Sequence, residues 1–196
     1  MHAVRVCQDN GRSQPSCCSP VKMARIELTM GLQEHKSSAP QQIRCVLITV
    51  SDTRTLENDT GGETVLQWLM QAEHVVVDRE IVPDDPQRMR VLLNQITQRE
   101  DVDAILMTGG TGITQRDQTF ETVTEMLTKT LPGYGELFRW LSYQEIGAAA
   151  MLSRATGGLL GNKVLLTMPG SPAAVRLAME KLILPELPHL VREAKR

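Results

Sequence analysis

Four stretches of the chain are apolar almost without a break, and segments with a helical rhythm lie between them. Ile43-Arg44-Cys45-Val46-Leu47-Ile48-Thr49-Val50 is continuously apolar after Arg44, as a strand buried on both faces should be. His74 to Val82 opens on valines and then alternates, so it predicts a second strand with a less buried end. Asp103 to Met107 predicts a third strand and Lys163 to Met168 another buried one. Thr60-Gly61-Gly62-Glu63 has capping-box spacing. The helix it opens carries Val65, Leu66, Leu69 and Met70 on one face. Pro86 suits the first turn of a helix with a stripe of Met89, Leu92, Leu93 and Ile96. Thr119 is placed to cap a helix with Phe120, Val123, Leu127 and Leu131 as its apolar face. Pro132-Gly133-Tyr134-Gly135 breaks it, and a helix from about Glu136 to Ile146 carries Leu137, Trp140 and Leu141. Gly157-Gly158 and Gly161-Asn162 frame a turn. The last helix has Ser171 as N-cap and Pro172 at its first position, and presents Val175, Ala178, Met179 and Leu182. Pro185 and Pro188 weaken any continuation. Strands alternating with helices predict an α/β fold with one mostly parallel sheet between helical layers.

Residues 41–196 are expected to form that one domain, with no internal repeat. Residues 1–40 are expected to form a tail. Cys7 to Pro20 is rich in Ser, Pro, Gln and Cys without periodicity, so residues 1 to about 20 are expected to be disordered. Met23 and Met30 are alternative starting points.

Composition narrows the function classes. Aromatic residues make up only 3% of the 196 residues, too few for base-stacking platforms. The formal net charge of −2 provides no basic patch, so a nucleic-acid partner is not expected. No apolar run approaches the roughly 20 residues of a membrane span, and the N-terminus lacks a signal-peptide core. A cytoplasmic protein is expected. Of the cysteines Cys7, Cys17, Cys18 and Cys45, none forms a C-x-x-C pair, and Cys45 reads as a buried strand residue.

The chemistry concentrates after the third strand. Ile105-Leu106-Met107-Thr108-Gly109-Gly110-Thr111-Gly112-Ile113 is an apolar run that ends in glycines, and Arg116-Asp117 follows. Glycine allows a positive φ and lets a ligand approach the peptide N–H groups. With a helix start behind it, the pattern predicts an anion site at the carboxyl end of a strand. It is neither a Walker A loop nor a dinucleotide fingerprint. A tight strand-to-helix turn without a ligand satisfies the same spacing.

Ser51-Asp52 and Asp84 follow the first and second strands, and Pro169-Gly170-Ser171 follows the last, so all fall on the same sheet edge. Carboxylates beside phosphates call for a divalent cation between them, and Mg²⁺ is the usual bridge. Phosphoryl or nucleotidyl transfer therefore fits better than simple phosphate binding. Asp84 and Asp117 are also of the residue type that caps turns. His2, His35, His74 and His189 are scattered, and no Gly-x-Ser-x-Gly elbow is present.

Four motifs in order, Thr108-Gly109-Gly110-Thr111-Gly112 with Arg116-Asp117, Pro132-Gly133-Tyr134-Gly135-Glu136, Leu152-Ser153-Arg154-Ala155 and Met168-Pro169-Gly170-Ser171-Pro172, resemble the molybdopterin-binding MoaB/Mog family. The likeness runs from about Ile43 to Leu190. It implies a three-layer α/β/α sandwich that assembles as a trimer or hexamer. It also implies binding of molybdopterin, a pterin dithiolene with a terminal phosphate. Related adenylyltransferases join that phosphate to AMP from Mg-ATP and release pyrophosphate.

By this resemblance the catalytic and metal-binding pair is Asp84, in Ile81-Val82-Pro83-Asp84, and Asp117. Thr108, Gly109, Gly110, Thr111, Gly112, Ser153, Gly170 and Ser171 would hold molybdopterin. Ser51, Asp52 and Glu136 would lie on the nucleotide side. Where the family often has Arg-Asp-Val-Thr-Pro-Glu, this chain has Arg116-Asp117-Gln118-Thr119-Phe120-Glu121. That departure leans toward the B branch, some of whose members are held to lack adenylyltransferase activity. The functional alternatives are thus an adenylyltransferase, a non-catalytic molybdopterin-binding oligomer, and a scaffold that docks other proteins.

Overall fold

The structure, a computed structural model, describes residues 40–196. The readings of a disordered tail and of alternative starts at Met23 and Met30 lie outside the described residues. The elements are β1 (Arg44–Val50), α1 (Thr60–Gln71), β2 (Val75–Val82), α2 (Pro86–Thr97), β3 (Ala104–Thr108), α3 (Thr119–Met126), β4 (Lys129–Thr130) and α4 (Pro132–Ile146). A 3-10 segment (Gly147–Leu152), β5 (Gly157–Leu160), β6 (Lys163–Met168), α5 (Pro172–Ala178), a π turn (Met179–Ile183) and α6 (Leu184–Ala194) complete the chain.

The strands form one sheet in the order β2-β1-β3-β6-β5-β4. The pairs β2–β1, β1–β3 and β3–β6 are parallel, and β5 and β4 add an antiparallel margin. Successive side chains of β1 point to opposite faces. Cys45 and Leu47 join Val65 and Leu69 of α1, Phe138 of α4, Val175 of α5 and Leu187 of α6. Val46, Ile48 and Val50 join Met89, Leu93 and Ile96 of α2 and Val123 of α3. Both faces are covered by helices, so a central strand is apolar at nearly every position, and the almost continuous apolar runs in the sequence follow from that. Cys45 is fully buried in this core, which pushes its thiol up to about 12.

Several elements depart from expectation for identifiable reasons. Pro132 does not break a helix but starts one at its first turn. Tyr134 is buried there and donates its hydroxyl to Thr167 O at 3.0 Å. Met70, read on the apolar face of its helix, and Leu137 and Trp140, read as the apolar residues of theirs, are exposed, and Phe138 takes the inward position in α4. Gly157 to Leu160 is a strand, because β5 needs glycines where neighbours crowd it. A Cβ on Gly158 would lie 2.0 Å from Lys129 O. Helical structure continues past Pro185 and Pro188 to Ala194. The π turn satisfies Met179 O with the Leu184 N–H, so Pro185 falls where its missing donor costs little. His74, just before β2, is buried, and its Nδ1 accepts from Ile43 N at 3.4 Å.

At the amino edge of the sheet Asp103, only 4% exposed, ties the C-terminal helix to the strands. Its carboxylate accepts from Arg44 N, Nε and Nη2 and from Lys195 Nζ. Burial pushes the carboxyl up, but Arg44 and Lys195 outweigh burial and hold it well below the usual carboxylate range. The unfolded chain then binds the extra proton in acid, so stability rises with pH through that range. The contribution is complete above the unfolded carboxyl value of about 4 and is lost as pH falls below it. Asp103→Asn is expected to cost about 1–3 kcal/mol at neutral pH. In urea unfolding the difference from wild type should shrink toward pH 2; a difference independent of pH would contradict this account.

Candidate functional site

The chain leaves β1 toward β2 on one side and resumes at β3 on the other, so the sheet order reverses between β1 and β3. A crevice forms at the carboxyl ends of the strands at such a point. Here it is a cavity of about 110 Å³ lined by Ser51, Arg54, Thr60, Gly61, Gly109 and Gly170, among others. Ser51 Oγ accepts from the amides of Thr53 and Arg54, which turns the chain away from β1.

The glycine loop is pressed against its neighbours. Gly109 has φ +94° and Gly110 has φ +61°. A Cβ on Gly109 would lie 2.3 Å from Val50 O. The Gly109 N–H is taken by Met168 O at 3.1 Å, and Thr108 Oγ1 donates to Pro169 O at 3.3 Å. These bonds fasten the loop to the Pro169-Gly170-Ser171 turn. The next four amides, those of Gly110, Thr111, Gly112 and Ile113, donate to no acceptor among the described residues. Consecutive free N–H groups in a tight turn form a concavity suited to an anion.

Both predicted carboxylates touch this loop. A Cβ on Gly110 would lie 2.6 Å from Asp84 Oδ2, and one on Gly112 would lie 2.6 Å from Asp117 Oδ2. Asp84 Oδ1 accepts from Gln118 N at 2.9 Å, and Asp117 Oδ2 accepts from Thr114 N and Oγ1 at 2.9 and 2.6 Å. Each aspartate therefore also caps a turn. Asp52 Oδ1 accepts from Asp84 N at 3.4 Å, and its Oδ2 accepts from Arg116 Nη2 at 2.5 Å. Burial is the main reason the Asp84 carboxyl lies above its ordinary value, and the charges of Asp117 and Asp52 add to it. No group of three His, Cys, Asp or Glu residues among those described is arranged to hold a metal. The donor set fits Mg²⁺ only as an ion completed by ligand phosphates, which is how one or two carboxylates commonly hold it.

The remaining predicted residues divide between two further clefts. Ser153 and Ser171 line a groove of about 250 Å³ with Ile146, Leu152 and Pro169. Ser171 Oγ also caps α5 by accepting from Ala174 N. Glu136 lines a different cleft of about 270 Å³, with Phe120, Thr130 and Arg139, and is not brought to the Ser51 cavity.

Two supporting roles, those of Asp59 and Arg154, escaped the sequence reading. Asp59, not Thr60, is the N-cap of α1. Its buried carboxylate accepts from Gly62 N at 2.9 Å, Thr49 Oγ1 at 2.7 Å and Arg79 Nη2 at 3.2 Å. The signal was an aspartate one residue before the supposed cap. Thr119 likewise makes no side-chain cap; its N–H donates to Gly110 O at 3.0 Å. Arg154 donates through Nε to Thr111 O at 3.0 Å and through Nη2 to both Glu121 oxygens at 2.8 Å, and its guanidinium lies 4.5 Å over the Phe120 ring. It props the glycine loop from behind, a role no local motif announces.

Residues 46–189 match the family model described as "Probable molybdopterin binding domain". The chain is 51% identical over 168 residues to molybdenum cofactor biosynthesis protein B of Bacillus anthracis, an alignment spanning 85% of this chain and 99% of that protein. A crystal structure of a molybdenum cofactor biosynthesis protein B superposes with a TM-score of 0.77 at 51% identity, covering 80% of this chain and 98% of the other. The tungsten cofactor synthesizing protein MoaB from Pyrococcus furiosus superposes with a TM-score of 0.71 at 35% identity, covering 81% and 100%. By these likenesses the chain belongs to the MoaB/Mog family of molybdopterin-binding domains.

Proposed function

We propose that this chain is a cytoplasmic molybdopterin adenylyltransferase whose active site is the carboxyl edge between β1 and β3. The observation that carries the reading is the run of amides from Gly110 to Ile113, which meet no acceptor among the described residues, flanked by Asp84 and Asp117. In this reading the terminal phosphate of molybdopterin attacks the α-phosphorus of ATP. A phosphorus–oxygen bond forms to it, the bond to the β-phosphate oxygen breaks, and pyrophosphate leaves. The loop amides hold the attacking phosphate in line and offset its charge, so catalysis is positioning plus electrostatics. Thr108, Gly170, Ser171 and Ser153 flank the molybdopterin side, and Ser51 and Asp52 the nucleotide side. Asp84 and Asp117 would hold Mg²⁺, which supplies the positive charge that lets triphosphate lie beside carboxylates. Because Glu136 lines a separate cleft, the nucleotide role is left to Ser51 and Asp52.

A second reading has its own support. Asp84, Asp117 and Asp52 are each already engaged within the chain, as they would be in a preset cradle that binds molybdopterin without turnover. Molybdopterin binding itself, followed by pterin fluorescence on the purified protein, tests what both readings share. Wild type should bind, and Gly110→Ala should not, because its Cβ would fill the space between Thr119 Oγ1 and Asp84. Equal binding by both would overturn the placement of the site.

The chain is also proposed to be a trimer or hexamer. Leu137, Trp140, Tyr143 and Ile146 wind along the exposed side of α4 and continue into Met151 and Leu152, each more than half exposed. Large apolar patches on a protein surface mark contact sites. Trp140→Glu is expected to yield a smaller species in sedimentation analysis, whereas an unchanged mass would remove α4 from the interface.

A further inference from the structure

We propose that Arg116 is a phosphate-binding arm held in reserve by Asp52, which exchanges that carboxylate for ligand phosphates when the carboxyl edge is filled. The inference rests on the phosphate-binding reading above and adds a residue to it. The Arg116 side chain is 76% exposed, and its ion pair is with Asp52, Nη2 to Oδ2 at 2.5 Å. The other oxygen of Asp52 receives the Asp84 amide, so the guanidinium lies beside the carboxylates of the edge. Its charge is felt at Asp84, whose carboxyl it partly offsets.

The backbone beneath Arg116 is fixed and its side chain is not. Asp117 N donates to Thr114 O, while Thr114 N and Oγ1 donate to the Asp117 carboxylate. This closed turn sets the Cα of Arg116 next to the glycine loop and leaves a long exposed stem to swing. Arg54, which lines the neighbouring cavity, is spent on Asn58 O at 2.8 Å. Among the described residues Arg116 is held by the partly exposed Asp52 carboxylate alone.

Energetics favour the exchange. A solvent-exposed ion pair contributes little, because two long side chains lose freedom and salt screens the attraction. A guanidinium on phosphate makes charge-assisted, bidentate hydrogen bonds that are stronger and better oriented. Asp52 thus keeps the arm near the edge without binding it tightly.

The test is calorimetric titration of pyrophosphate, without Mg²⁺ and at constant low salt, into wild type, Asp52→Asn, Arg116→Ala and the double variant. Thermal unfolding of each variant checks that the fold is native. Asp52→Asn should tighten binding about tenfold and Arg116→Ala should weaken it about tenfold. The cycle separates the arm from simple charge repulsion. If Asp52 acts by holding Arg116, its removal gains only about twofold once Arg116 is alanine. Equal gains in both backgrounds would show repulsion alone and overturn the arm. Pyrophosphate binding that survives Arg116→Ala unchanged would overturn the arm and leave the phosphate site standing. No binding by wild type or Asp52→Asn would overturn both.

Discussion

Asp117→Asn should fold normally and release pyrophosphate about 10²–10³-fold more slowly than wild type, the loss typical of removing one electrostatic contact from a transition state. The choice of asparagine matters. Asp117 Oδ2 accepts from Thr114 N and Oγ1, so alanine would remove a cap together with a charge. Asparagine keeps an acceptor for that turn while discarding the charge needed beside a phosphate-bound cation. Asp84→Asn should behave the same way, keeping its bond from Gln118 N. Two outcomes would be informative: full turnover with native stability would remove these carboxylates from the chemistry, and unfolding would reduce them to caps. The wild-type rate should also fall in acid. Burial raises the Asp84 carboxyl above its ordinary value, so the working carboxylate is lost at a higher pH than an exposed one would be. Asp84→Asn should lack that acid limb.

Gly109→Ala is expected to lower stability by about 2–4 kcal/mol and to abolish ligand binding, the largest effect of any single methyl group in the site. At φ +94° an L side chain is strained before any contact is counted. The added Cβ would then lie 2.3 Å from Val50 O, a backbone atom of the central strand that has nowhere to go. Relief would require opening the Gly109 N to Met168 O bond, which joins the glycine loop to the Pro169-Gly170-Ser171 turn. Gly133→Ala is the control. Nothing lies within 4 Å of its Cβ position and it occupies the first turn of α4, so alanine there should be neutral or stabilise by a few tenths of a kcal/mol. Chemical denaturation of the two variants checks both; similar losses would mean that close approach at the loop is not what demands glycine.

The sheet was legible because burial on both faces leaves an unmistakable mark: β1, β3 and β6 are apolar except for Arg44 and Lys163 at strand starts and for Thr49, Thr108 and Thr167. The edge strands were not, because β4 has only two residues, both exposed, and β5 begins with two glycines chosen for clearance rather than for strand propensity. Leu137 and Trp140 misled for another reason. A helical stripe of apolar residues looks the same whether it faces the core or the outside, and α4 has apolar residues on both sides. Within the site, residues that follow a strand directly could be placed from the order of elements alone. That is how Ser51, Asp84 and the glycine loop came to one edge. Glu136 came from likeness without such an anchor, and it lies in another cleft. Asp59 and Arg154 act across the chain, from Asp59 to Thr49 and Arg79 and from Arg154 to Thr111 and Glu121, and such pairings are written only in three dimensions.

Pyrophosphate release from Mg-ATP, with and without purified molybdopterin, tests the central claim most directly. The account predicts release by wild type that requires molybdopterin and is lost in Asp117→Asn. Molybdopterin that binds at the glycine loop with no release of pyrophosphate would contradict the adenylyltransferase and establish the preset cradle in its place.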